Sequence, residues 1–168
     1  MAASRLPIAN DANGKPFLVG MTGCHFNVSH SEDWALVAID VAGEVGVDIE
    51  MLRSIDGALG LAQSHFTTEE LGTFVTLCDD VRDAAFLRAW TRKEACLKAI
   101  GTGLRVAPNT VATGLGAETM CVPFELATGR VLVDVRSIEL RADCIAAVAR
   151  VRGTLAPSSL VLRCGEPM

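Results

Sequence analysis

The segment FNVSHSEDWALVAIDVAGEVGVDIE, residues 26–50, limits the fold more than any other part of this chain. It alternates, it is rich in Val, Ile and Trp, and it is punctuated at SHSED and AGE. Alternation with a period of two marks strands, and clusters of charged residues and glycine mark turns. The segment therefore reads as strand, turn, strand, turn, strand. In GVDIEM (46–51), Val47, Ile49 and Met51 face one way, while Asp48 and Glu50 face the other.

Helical patterns follow. Residues 55–65 are expected to form one helix. FTTEELGTFVTL (66–77) starts another, because Thr67 followed three residues later by Glu70 is a capping box. The longest pattern is DDVRDAAFLRAWTRKEACLKAI (79–100), with Phe86, Trp90, Leu97 and Ile100 expected in the core and Gly101 and Gly103 as its stop. Trp90, Glu94 and Lys98 are spaced i, i+4, i+8 and share a face. RVLVDVRSIEL and DCIAAVARVR read as closing strands, and the last dozen residues are expected to fray. No internal repeat or low-complexity segment interrupts this order.

Composition sets the outer bounds. The 168 residues suffice for one domain with a real core, and 50% apolar with 21% charged residues is an ordered profile. A net charge of −5 supplies no bulk attraction to nucleic acid or anionic membrane, so neither is expected as a partner. The N-terminus has no apolar export core or twin arginine, and WALVAIDVAGEVGVDI is too short to span a bilayer. A cytoplasmic protein is expected. Cysteines 24, 78, 96, 121, 144 and 164 show no CxxC spacing, so they are expected to be reduced, with Cys96 and Cys144 as core filler.

Asp48 and Glu50 stand about 7 Å apart on one strand face, so they are either solvated or neutralised by a cation. By itself Glu94 beside Lys98 is an ordinary helix ion pair. A third carboxylate converging on the first two would suit Mg²⁺, which takes hard oxygens together with phosphate and water. His30 lies in a Ser-His-Ser turn, and His25 and His65 read as structural. Of fifteen basic residues twelve are Arg and only three are Lys, at 15, 93 and 98. Lys is a compact point charge suited to a phosphate oxygen. Two of the three lie on the long helix and the third follows the glycine of GKP (14–16), which hints at phosphate handling.

Taken in order, GKP, FNVSHS (26–31), GVDIE (46–50), FTTEE (66–70) and WTRKEACLKAIGTGL (90–104) resemble the signature of 4′-phosphopantetheinyl transferases of the Sfp type. The resemblance implies a Mg²⁺-dependent transferase that moves 4′-phosphopantetheine from coenzyme A to a serine of an acyl or peptidyl carrier protein, releasing 3′,5′-ADP. By position it implies that Asp48, Glu50 and Glu94 hold Mg²⁺. Lys98 would neutralise the pyrophosphate with Lys93 nearby, Asp48 would face the same coenzyme, and Lys15, Ser29 and His30 would hold the 3′-phosphate. Glu94 and Lys98 would be the catalytic pair, Glu94 taking the serine proton directly or through a metal-bound water. The alternatives are a non-catalytic remnant or carrier-binding module of the same fold, or an unrelated Mg²⁺-dependent phosphate-binding enzyme.

Members of that type have two pseudo-symmetric halves, whereas only about two dozen residues precede FNVSHS here. The expected fold is therefore α+β: an antiparallel sheet packed with helices, one half-fold plus the tail of a second. Residues 1–43 would be the remnant of the N-terminal half, 44–155 the core unit and 156–168 a flexible tail. Homo-oligomerisation is expected, because a half-fold leaves the strands of 26–50 with little to cover them.

Overall fold

The computed structural model describes residues 6–152 and 161–165. A short hairpin, β1 (Ile8–Asn10) and β2 (Pro16–Leu18), leads into β3 (His25–Ser31), β4 (Trp34–Asp40) and β5 (Val45–Met51). Three helices follow: α1 (Ala58–His65), α2 (Thr68–Phe74) and α3 (Asp79–Ile100). A loop with two 3₁₀ turns leads to β6 (Met120–Leu126), β7 (Gly129–Ile138) and β8 (Cys144–Val151), and Val161–Gly165 forms β9.

Among the described residues every strand pairing is antiparallel. One sheet has the order β5-β8-β7-β6, another β3-β4-β9, and the hairpin pairs on itself. The α+β reading holds, and 26–50 is the strand triplet expected. α1 begins three residues later than expected. The Thr67–Glu70 capping box is formed in both directions.

β5 explains the layering. Val45, Val47 and Ile49 pack with Leu36 and Ala38 of β4 and with Cys144, Ala146 and Val148 of β8. The residues between them face α3, where Ala95, Cys96, Leu97 and Ala99 meet Val133, Val135, Ala147 and Ala149. α3 thus covers one face of the four-stranded sheet, and the strand layer covers the β5–β8 part of the other, leaving Cys121, Pro123 and Arg136 exposed on β6 and β7. Burial pushes the Cys96 thiol up to about 12, which leaves it an inert packing group. A third cluster joins α1, α2 and the first half of α3 through Phe66, Phe74 and Phe86.

Gly46 sets how closely α3 lies on β5. A Cβ there would stand 2.1 Å from the Ala95 carbonyl oxygen and 2.4 Å from the Ala99 nitrogen, both rigid helix backbone. Gly46→Ala is therefore expected to lift α3 off the strand and lower unfolding free energy by about 3 kcal/mol, at the upper end for overpacking. An unchanged urea midpoint would show that the helix can shift without loss.

Two elements depart from the sequence reading. β6 was not named as a strand from the sequence; its Pro123 is accommodated because β6 lies at the sheet edge, where a missing N–H is tolerated. Part of the expected tail, 161–165, pairs with β4, whose outer edge offers unpaired backbone groups. The remaining residues from 156 onward lie outside those described.

Candidate functional site

The site grows from an unusual seam between the two larger sheets. β5 is an edge strand, and its outward N–H groups meet side chains of β3 instead of a backbone ladder. Val47 N–H donates to Asn27 Oδ1 (3.0 Å), Ile49 N–H to Ser29 Oγ (3.4 Å) and Met51 N–H to Ser31 Oγ (3.1 Å). The Asn-x-Ser-x-Ser spacing of FNVSHS supplies one oxygen at every second residue, matching the pleat of the strand it serves. Buried backbone donors need partners, and short polar side chains provide them here.

Ser29 then links the seam to the charges. Its Oγ donates to Asp48 Oδ1 at 2.8 Å and accepts from Lys98 Nζ at 3.1 Å. Lys98 Nζ also donates to Asp48 Oδ1 at 2.6 Å and to the Val47 carbonyl at 3.2 Å. Asp48 is buried, and its second oxygen, Oδ2, has no hydrogen-bond partner. Burial pushes the Asp48 carboxyl up; Lys98 and Ser29 oppose this, and Glu50 adds to it.

Glu94, one turn before Lys98 on α3, is half-buried, and burial likewise raises its carboxyl. The charges of Asp48 and Glu50 raise it further, so the three carboxylates sense one another. Glu50 is bound by Arg53 Nη1 at 2.7 Å and accepts from Ser31 Oγ at 3.4 Å. Among the described residues no group of three such side chains is placed to hold a metal ion; Lys98 pairs with one oxygen of Asp48 and Arg53 with Glu50.

Lys15 and Lys98 open onto one groove of about 250 Å³, walled by Asn13, Gly14 and Pro16 on one side and Leu97, Gly101 and Gly103 on the other. Lys15 reaches it because Gly101, the left-handed cap of α3 (φ 69°), leaves room for its stem.

Two predicted site residues stand apart. Lys93 is fully buried on another side of α3, where it donates to Glu70 Oε2 (2.6 Å), to the Pro108 carbonyl (3.0 Å) and to the Val111 carbonyl. Glu70 also accepts from the N–H groups of Thr67, Thr113 and Gly114 at 2.8–2.9 Å. Burial alone would raise Glu70, but Lys93 and these N–H groups together hold it below the usual carboxylate range. Lys93 is thus an interior strut joining α2, α3 and the loop after it, not a group facing the groove. His30 is exposed on the face of β3 opposite Asn27 and Ser29. Asn27 and Arg53 were not singled out by sequence reasoning; the alternation of FNVSHS was the available signal for Asn27.

Asp48, Glu94 and Lys98 thus gather at the joint of β5 and α3, beside the groove that Lys15 shares. Residues 44–122 match the model of the 4′-phosphopantetheinyl transferase superfamily. The chain is 37% identical over 94 residues to the 4′-phosphopantetheinyl transferase psf-1 of Bacillus pumilus, covering 56% of this chain and 39% of that one. It is 37% identical over 97 residues to the 4′-phosphopantetheinyl transferase HetI of a Nostoc strain, covering 56% and 41%. To the 4′-phosphopantetheinyl transferase AcpT of Salmonella typhi it is 39% identical over 101 residues, covering 60% and 53%. Over the matched segment, the chain is similar to 4′-phosphopantetheinyl transferases. It spans about two fifths to one half of the length of these curated relatives. Among the described residues no helix is long and apolar enough to cross a membrane.

Proposed function

We propose that this chain transfers 4′-phosphopantetheine from coenzyme A to a serine hydroxyl of an acyl or peptidyl carrier protein. The observation that carries this reading is the Asp48–Lys98–Ser29 junction, with Glu94 and Glu50 within electrostatic reach, beside the Lys15–Lys98 groove. Phosphoryl transfer requires mainly positioning and charge neutralisation, and this arrangement offers both.

Lys98 would neutralise the pyrophosphate of coenzyme A, since its ammonium is fixed by Asp48, Ser29 and the Val47 carbonyl. Lys15 and Ser29 would serve the phosphate at the far end of the coenzyme, with His30 added only if the coenzyme reaches across β3. As the serine oxygen bonds to the β-phosphorus, the bond to the bridging oxygen breaks and 3′,5′-ADP leaves with the electron pair. Glu94, a carboxyl that burial and its neighbours make more basic, would take the serine proton.

The donor set suits Mg²⁺. Asp48 presents a buried oxygen without a partner, and Glu94 and Glu50 add hard oxygen donors, so Asp48, Glu50 and Glu94 would hold the ion. When bound, it would offset the negative charge of the pyrophosphate. The division at 43/44, a cytoplasmic setting and a homo-oligomer are parts of the same reading. For the last, Leu6, Ile8, Phe17, Val19 and Met21 of the N-terminal region are exposed and offer an apolar surface to a second copy.

Incubating an apo carrier protein with coenzyme A, Mg²⁺ and this protein tests the reading. The expected result by mass spectrometry is a carrier heavier by one phosphopantetheine. No mass gain, despite carrier binding, would leave the non-catalytic module instead.

A further inference from the structure

His65 reads from the sequence as a structural residue, and its helix supplies one reason for it. At the last turn of α1 its Nδ1 lies 2.8 Å from the Leu61 carbonyl oxygen, one turn back. A carbonyl only accepts, so Nδ1 carries the hydrogen and donates it. In the neutral ring Nε2 is then the bare acceptor nitrogen.

A helix end does not explain the rest of the setting. The His65 ring meets Trp90 of α3 edge to face, with centroids 5.1 Å apart. Trp90 stacks on Phe86 at 6.5 Å, and Phe86 stacks at 5.4 Å on Phe66, the residue after His65. Four aromatic rings thus close a circuit from residue 65 back to residue 66, which holds the imidazole more firmly than one hydrogen bond would. Helix spacing puts Glu94 one turn beyond Trp90 on the same face of α3. The Glu94 carboxyl senses the charge of His65 as well as those of Asp48, Lys98 and Glu50. His65 is half-buried, so a group arriving from solvent can reach its ring.

In the proposed reaction Glu94 has two tasks, holding the ion and taking the serine proton. These tasks compete, because a cation beside a carboxylate favours its ionised form and makes it a weaker base. Mg²⁺ prefers hard oxygens to an imidazole nitrogen, so a histidine at the rim of the site keeps its lone pair for a proton.

We propose that His65 Nε2 takes the proton of the carrier serine, leaving Glu94 to hold the ion. This rests on the transferase reading and reassigns one step within it. The serine O–H bond breaks toward Nε2 as the serine oxygen bonds to the β-phosphorus. The bond to the bridging oxygen breaks, and its electron pair leaves with 3′,5′-ADP. The imidazolium returns its proton to solvent before the next turnover.

Transfer to an apo carrier protein at saturating coenzyme A and Mg²⁺, followed across pH in wild type, His65→Phe and His65→Ala, tests this. Phenylalanine keeps the aromatic circuit closed but offers no acceptor. His65→Phe is expected to lower kcat about 100-fold or more. It should also remove the rise of wild-type kcat over about pH 5–8, where an imidazole changes charge. KM for coenzyme A and the gain in melting temperature on adding Mg²⁺ should stay as in wild type. In His65→Ala, added imidazole should restore part of the lost rate. An unchanged kcat in His65→Phe, or a uniform fall that keeps the wild-type pH profile, overturns the inference and leaves the transferase reading standing with Glu94 as the base. Should neither variant melt cooperatively, carbethoxylation of folded wild type, followed by peptide mass, takes their place. Transfer lost in step with labelling of His65 supports the inference, and transfer that survives its full labelling overturns it. If wild type transfers nothing, both readings fail together.

Discussion

Lys93→Ala is expected to lower the unfolding free energy by about 3–5 kcal/mol, the cost of leaving a buried charge without its partner. The Lys93 and Glu70 side chains are 0% and 5% exposed, so water cannot replace the lost ammonium without opening the fold. The damage extends beyond one pair, because Lys93 also holds the carbonyls of Pro108 and Val111, and Glu70 holds the amides of Thr113 and Gly114. The loop after α3 would lose both tethers of its midpoint.

The sign of the pH dependence follows. In wild type Glu70 is depressed, so it contributes stability above its unfolded pKa, and that contribution is lost as pH falls through its folded value. In Lys93→Ala the largest opposing influences vanish and burial raises Glu70. The deficit should therefore be largest at neutral pH and shrink as acid neutralises the orphaned carboxyl. Urea unfolding at several pH values measures this. A loss under about 1 kcal/mol, or a deficit that grows in acid, would show that Glu70 is hydrated and Lys93 is not a strut.

Asp48→Ala is expected to abolish phosphopantetheine transfer while leaving the fold nearly intact. The site would lose a buried carboxylate oxygen that has no hydrogen-bond partner, and Lys98 would keep Ser29 and the Val47 carbonyl. Stability should hold or rise slightly in metal-free protein near neutral pH. Burial raises Asp48, and a raised carboxyl contributes stability only below its unfolded pKa, losing it as pH rises through the folded value. Removing the group removes that penalty and relieves Glu94 of one like charge. Thermal melts with and without Mg²⁺ check the structural half: wild type should gain stability from the ion and the variant should not. Transfer retained at saturating Mg²⁺ would falsify the assignment of Asp48.

What was legible in the sequence divides along local and non-local physics. The strand triplet of 26–50, the Thr67–Glu70 cap and the end of α3 at Gly101 all depend on neighbours in sequence, and each was read correctly. The meeting of Lys98 with Asp48 was expected, though from the resemblance and not from spacing, which fixes a helix face and a strand face but not their contact. The fate of Lys93 was not. It sits one residue before Glu94, so helix geometry alone turns it about 100° away from the carboxylates; its partner Glu70 lies 23 residues upstream and was already explained by its capping role. A residue that satisfies a local rule conceals its distant one. The ion pair of Lys15 with Glu44 was hidden for a related reason, since both lie in turns whose composition predicts only that the chain reverses.

The seam between β3 and β5 carries a consequence for how this molecule can vary. Where two strands share a backbone ladder, side chains can be exchanged without touching the joint. Here the joint is made of side chains, and one of its atoms, Ser29 Oγ, also touches Asp48 and Lys98. Architecture and chemistry are therefore written in the same letter at that position. A substitution that loosens the seam also retunes the charges beside it, and one that retunes the charges loosens the seam. Drift at residue 29 cannot be neutral for one and adaptive for the other. The neighbouring residue on β3, His30, faces outward and carries no such double duty, so the two halves of the Ser-His pair are bound by very different constraints.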